Sequence, residues 1–338
     1  MSQLVYTRAE LEAEPDYATP HVECGLKLHG GFDAEGHYLS PRTKYRWQAI
    51  NAWHRQLEER GVEIVEATTE LLTVPNFPNV PQQVLLLKHG IEQSFWDSLT
   101  ITGLIEARGK ALAEVTAPDF QSIIEEDISA TALGHMNKGL LTSHGWDEGG
   151  VPDSGIGGHD VMWFATRDLV FGRDRFPVPE APASIGREKD EREMLQIPAE
   201  HEMMISFLMN LLMIEVRAER AFDFYEQVIG SEETFVERPM ESKHAVLLVD
   251  RIRQDEAVHV AWLRAAISEF RSFTIRCVDG STCAGSDILD PVWARMVHWH
   301  GVEMHEKTRP ASIEAVRQAV LSRKNGENLY REFEALVA

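Results

Sequence analysis

The chain has 338 residues with 54 acidic and 33 basic side chains, a formal net charge of −21, which argues against nucleic acid or an anionic membrane as partner. Hydrophobic residues at 43% and charged residues at 26% fit a globular protein large enough to bury a sizeable core. Three scattered cysteines, Cys24, Cys277 and Cys283, are too few for a disulfide framework or a four-thiolate zinc site. The start of the chain lacks the basic and apolar regions of a secretory signal, and no apolar run reaches the length of a membrane span. The expectation is a cytoplasmic protein with reduced thiols.

Residues 1–79 read as a small α/β segment. His21 to Leu28 alternates enough for a short strand, Gly30-Gly31 is expected to turn the chain, and Ser40-Pro41 opens a helix to about Arg60 that Gly61 stops. Val62 to Glu66 reads as a second strand. After the proline-broken stretch Pro75 to Pro81, one long helix is predicted from Gln82 to Val115. Its apolar stripe (Val84, Leu87, Ile91, Phe95, Ser98, Thr102, Ile105) has no ionisable group at its centre. Glu92, Asp97 and Glu106 lie on its flanks; Glu106 stands too near the following link, and Glu92 ranks first because apolar neighbours share its side.

A second helix is predicted from Phe120 to Leu141, with Phe120, Ile124, Ile128, Thr131 and His135 on one face, so that His135 points inward. Residues 142–198 then form a glycine- and proline-rich crossover with one helix, His159 to Phe171, in which His159 and Asp160 are assigned to capping.

The strongest pattern follows. From about Lys243 to Phe270 the residues Ala245, Val249, Ile252, Glu256, His259, Leu263, Ala266 and Phe270 share one helical stripe. Glu256 and His259 thus occupy core positions, where an unpaired carboxylate costs several kcal/mol. From about Glu200 to Ile229 the stripe of Met204, Phe207, Leu208, Leu211, Ala218, Phe222 and Tyr225 contains Glu215. The short link Gly230 to Glu237 implies an antiparallel hairpin, and counting outward from it Glu215 and Glu256 lie at nearly equal depth. Carboxylates and imidazole gathered at one level call for a cation. His135 has a similar depth from its own link and joins them as a candidate ligand. Beyond residue 272, Thr274 to Cys277 reads as extended, Ser281 to Asp290 as a loop, Pro291 to Pro310 as a helix carrying His298, His300, Glu303 and His305, and Ser312 to Val337 as a last helix. His298 and His305 share a face with Trp293, Val297 and Met304, which points to packing.

At Glu215 and at Asp255-Glu256-x-x-His259 the sequence resembles the ferritin-like di-metal carboxylate superfamily, which includes the ribonucleotide reductase small subunit, acyl carrier protein desaturases and arylamine N-oxygenases. The resemblance implies a mainly α protein. Its ferritin-like four-helix bundle would span residues 80–272, with the crossover between helices two and three and helical extensions at 273–338. It implies a metal site of His135, Glu215, Glu256, His259 and Glu92, holding iron as one ion or two, or manganese. The residue three before His135 is Ala132, so the second Glu-x-x-His is missing. The implied activity is a metal-dependent, dioxygen-using oxidoreductase. It would act on a small organic substrate in the bundle interior, near Phe207, Leu211 and Phe222, with an electron donor and a homodimeric state as further expectations. The alternatives are a metal-binding protein of this fold without catalysis and a metal-free helical scaffold with a degenerate site.

Overall fold

The computed structural model describes residues 3–188 and 191–336, and the protein is mainly helical with a small antiparallel sheet. In chain order its elements are α1 (Arg8–Leu11), β1 (Thr19–Glu23), β2 (Leu26–Phe32), β3 (Tyr38–Leu39), α2 (Arg46–Glu59), α3 (Val80–Lys88), α4 (Gln93–Gly109), α5 (Ala132–His135) and α6 (Leu140–Gly149). Then come α7 (His159–Phe171), α8 (Ala199–Ile229), α9 (Pro239–Ser272), β4 (Thr274–Arg276), β5 (Thr282–Ala284), α10 (Gly285–His298), α11 (Met304–Leu321) and α12 (Gly326–Ala335).

The centre is a ring of four helices. The hairpin of α8 and α9 is antiparallel as expected: Ser242 Oγ donates to the Ile229 carbonyl at 2.6 Å, and Arg253 reaches back to Glu226 and Glu219. Helix α7 packs on α9, α4 packs on α7, and α4 returns to α8 through the ring contacts of Phe95 with Phe224 and Tyr225. All eight residues of the α9 stripe are buried. On α8, Met204, Leu208, Phe222 and Tyr225 are buried while Phe207, Leu211 and Ala218 are partly open, because a cavity lies against them. One continuous core runs from Tyr6, Leu11 and Trp53 through α8 and α9 to Val292 and Met296.

Several expectations are corrected. The helix predicted over 82–115 is two helices, since Gly90 at φ +68° ends α3, where the left-handed backbone favours glycine. Of 120–141 only 132–135 and 140–141 are α-helical, with short 3-10 turns at 120–122 and 136–138. Gln121 binds the carbonyls of Ile124 and Glu126 and the Ile128 amide, holding the chain in an irregular loop that pairs Ile124 with Ile275. The segment opening the expected crossover is instead helix α6, and α7 is a full member of the ring, so the long connection is 172–198. Gly30-Gly31 lies inside β2, where a Cβ on Gly31 would meet the Tyr17 ring at 2.5 Å; the turn is Cys24-Gly25. Residues 62–66 form no strand but lie along α9, Val65 bonding Ser268 and Arg264. In the C-terminal part Pro291 and Pro310 lie within α10 and α11 rather than at helix ends, and residues 281–290 include β5 and the start of α10. The expected last helix breaks between Leu321 and Gly326, and its final residue, Val337, is outside the described residues. Among the described residues no helix is long and apolar enough to cross a membrane.

Candidate metal centre

Seven buried side chains from five helices converge in the middle of the ring: Glu106 of α4, His144 and Glu148 of α6, His159 of α7, Glu215 of α8, and Glu256 and His259 of α9. His159 Nδ1 lies 3.0 Å from Glu256 and 3.9 Å from both Glu106 and Glu148. His259 Nδ1 lies 2.5 Å from Glu256 and 3.3 Å from Glu148. His144 Nε2 lies 3.1 Å from Glu215 and 3.3 Å from Glu148, and its ring is stacked on that of His259 with centroids 3.6 Å apart. On its far side, Trp262 Nε1 donates to His144 Nδ1 at 3.3 Å.

Two aspartates orient the histidines from behind. Asp147 accepts from Arg42 and Arg46 and lies 3.0 Å from His259 Nε2. Asp255 accepts from the Tyr38 hydroxyl at 3.0 Å and lies 3.1 Å from His29 Nε2 and 3.3 Å from His159 Nε2. A charged carboxylate only accepts, so each Nε2 carries a proton and each Nδ1 is aimed at the cluster. The two halves match. In each, an adjacent Asp-Glu pair sends its Glu inward and uses its Asp to hold the histidine of the other half.

Charge in this interior is strongly redistributed. Burial, with Glu148 beside it, holds the Glu106 carboxyl well above the usual range. Burial and Glu256 push Glu215 up to about 7. At Glu148 burial is overcome by Glu106 and by the nearby His144, His159 and His259, which hold the carboxyl well below its ordinary value. Burial and Glu148 push Glu256 up, but His259 and His159 pull it below. Burial opposes charge on His159 and His259, and Glu256 first among several carboxylates overcomes it, leaving both well above the usual imidazole value. At Asp147, too, burial is overcome, by Arg42, Arg46 and His259.

Of the residues expected from sequence, the structure brings together Glu215, Glu256 and His259. His135 is elsewhere engaged: its Nε2 accepts from the Tyr6 amide at 2.9 Å and its Nδ1 donates to the Thr131 carbonyl at 2.6 Å, so both nitrogens are used by backbone. Glu92 caps the start of α4, partly exposed, and pairs with Arg175 at 2.9 Å. Glu106, set aside as too near a link, is in the cluster because the chain runs on from that link to Leu140 before the next full helix, α6, brings Glu148 back beside it. His159 is a cluster residue rather than a cap. His144 and Glu148 fell in the segment assigned to the crossover. A signal was present: Asp-Glu occurs at 147–148 as at 255–256, and the interval from Glu106 to Glu148 matches that from Glu215 to Glu256 to within one residue.

A cavity of about 290 Å³ reaches the cluster from outside, lined by Glu106, Glu148 and Glu215 at its inner end and by Phe207, Leu211 and Ile214 along α8. Residues 183–185 of the long connection cover it. Comparison with family models, with curated proteins and with solved structures gave no match.

Proposed function

We propose that the protein is a metal-dependent, dioxygen-using oxidoreductase with a ferritin-like bundle, whose centre holds two iron or manganese ions. The observation that carries this reading is charge. Six buried carboxylates (Glu106, Asp147, Glu148, Glu215, Asp255, Glu256) face two buried guanidinium groups, Arg42 and Arg46. With the carboxylates ionised and the imidazoles neutral, as ligands would be, four negative charges remain, the charge that two divalent cations carry; without cations, protons on groups such as Glu106, His159 and His259 have to take their place. The donor set fits. His159 Nδ1 is buried, 3.0 Å from Glu256 and 3.9 Å from Glu106 and Glu148, and meets none of them in good hydrogen-bond geometry, which is the situation of a ligand nitrogen aimed between them.

Glu106, Glu148, His159, Glu215, Glu256 and His259 would hold the ions, while His144, whose Nδ1 accepts from Trp262, would turn its Nε2 proton toward Glu148 and Glu215 and orient them. Carboxylate and imidazole ligands suit iron or manganese, which when bound would supply the redox chemistry for oxidising a small organic substrate with dioxygen, given an electron donor. The chain itself supplies the rest. Asp147 and Asp255 fix the tautomer and direction of the histidines, and Phe207, Leu211 and Ile214 form an apolar wall that would exclude water from a substrate at the inner end of the cavity. The test is anaerobic loading with Fe(II), a count of ions per chain, and admission of oxygen. Two ions and an oxidised chromophore are expected; failure to take up stoichiometric metal would end the proposal.

A further inference from the structure

The cavity at the centre does not end at its apolar wall. A second cavity of about 240 Å³ adjoins it, and the two share Ile105, Glu106, Ile185, Ile214 and Ala218 in their linings. The far part of this second space is lined by Arg217, Arg220 and His305, with Asn76 and Thr102. In a chain of net charge −21 the two arginines are notable for what they bond. Arg217 donates to the Ile185 carbonyl at 2.9 Å and lies 3.4 Å from His300 Nδ1. Arg220 donates to the carbonyls of Leu72 and Val74 at 2.9 and 2.8 Å and lies 3.2 Å from His305 Nε2. Among the described residues neither forms an ion pair with a carboxylate, whereas Arg42, Arg46 and Arg253 all do.

Two guanidinium groups brought together in a partly buried wall without a counter-ion carry an electrostatic cost that an anion would relieve. A guanidinium fork matches the two oxygens of a carboxylate. Position adds to chemistry. Glu215 and Arg220 lie on one helix and differ by about 7 Å along its axis at 1.5 Å per residue, so a molecule held by its anionic end at the arginines would extend its apolar body between Ile105, Ile214 and Ala218 toward Glu106.

We infer that Arg217 and Arg220 form the recognition subsite for a small organic carboxylate, whose apolar body reaches the metal centre through the joined cavities. The inference rests on the function proposed above, and names the class of its substrate. The carbonyls and histidines take the Nη1 hydrogens of both arginines and one Nη2 hydrogen of Arg220, leaving on each an Nε–H and an Nη2–H, the edge that pairs side by side with the two oxygens of a planar carboxylate.

The test uses the metal-loaded protein with benzoate as probe, benzamide as its neutral counterpart and phenyl phosphate as a bulkier anion, read by calorimetry and by the shift in melting temperature. Benzoate is expected to bind at least tenfold more tightly than either. Arg217→Gln and Arg220→Gln are each expected to weaken benzoate binding about tenfold while keeping the wild-type number of ions per chain, and that count separates this subsite from the metal reading. Should a glutamine variant fail to fold, Ala218→Phe, which fills the joint between the cavities without changing a charge, is expected to abolish benzoate binding. Equal binding of benzoate and benzamide, preference for phenyl phosphate, or benzoate affinity unchanged in the variants would each overturn the assignment, even with two ions bound.

Discussion

The two halves of the centre present the same groups but are built by different means. In the second half, Asp255, Glu256 and His259 fall within little more than one turn of the unbroken helix α9, so helical geometry alone sets their relative positions. In the first half the helix stops after Glu148, where Gly150 adopts φ +74°, and restarts at His159. The intervening loop is fixed from outside: the Gly157 amide donates to the Lys27 carbonyl and the His29 amide to the Gly157 carbonyl, each at 2.9 Å. Strand β2 thus does for the first half what one helical turn does for the second. The comparison teaches that one arrangement of buried polar groups can be specified locally or by tertiary clamps, and that the clamped version has more places to fail.

The largest test of this pairing is at the inward glutamates. Glu148→Ala and Glu256→Ala are each expected to lower oxygen consumption by at least ~100-fold and to reduce the bound metal, exceeding the ~10–100-fold typical of groups behind the ligands. If Glu148→Ala left the metal count and turnover intact, the first half would not be a counterpart of the second.

The supporting aspartates should separate the halves. Asp147→Asn would leave the buried Arg46 without a counter-charge and the buried Arg42 with the exposed Glu14 alone, at a cost of about 3–5 kcal/mol in urea unfolding. Asp255→Asn strands no permanent cation, since its partners are Tyr38, His29 and His159, and should cost about 1–3 kcal/mol. Equal losses would mean that the arginines are not the first half's support.

The same contrast decides what could be read from sequence. The α8–α9 hairpin, the α9 stripe and the placing of Glu215, Glu256 and His259 were legible because each follows from helical periodicity and one short link. Glu148 and His159 were hidden because the glycine-rich loop between them destroys the periodicity, and the backbone bonds from β2 that restore their geometry leave no trace in the spacing. His135 was mistaken for a ligand because an inward imidazole on an apolar face looks the same whether it meets a metal or, as here, the Tyr6 amide and the Thr131 carbonyl. Glu106 was lost to a boundary error, since its depth was measured from a link to a helix expected at Phe120, whereas the helix that packs beside it, α6, begins at Leu140. Only the repeated Asp-Glu pair crossed that gap, and it asks for comparison of the two halves before any helix is assigned.

Gly158 offers a smaller and more local test. A Cβ there would lie 2.5 Å from the Gly150 amide nitrogen and 2.7 Å from the Asp147 carbonyl oxygen, both backbone atoms that cannot swing aside. Gly158→Ala should therefore cost about 1–3 kcal/mol and weaken metal binding through displaced His159. In the second half, Ala257→Gly on the exposed side of α9 should cost only about 1 kcal/mol in helix propensity with metal binding unchanged.

The smallest expected effect concerns acid. Asp147 is backed by arginines, which stay charged at any working pH, whereas Asp255 is backed by the β-sheet, where His21 donates from Nδ1 to the His29 carbonyl and receives Arg251 at Nε2. Burial, partly offset by the hydrogen bond to His29, holds His21 down to about 4, against about 6.5 in an unfolded chain. The folded pKa is the lower one, so this histidine's contribution to stability is complete above pH 6.5. It is lost as pH falls from there toward 4, because the unfolded chain takes up a proton that the folded one refuses. Lowering the pH from 7 to 4.5 should therefore speed amide exchange in residues 19–32 before it does so in residues 46–59 of α2. His21→Gln should flatten the pH dependence in the sheet, and synchronous loosening of the two regions would show that their supports do not differ in the way their partners imply.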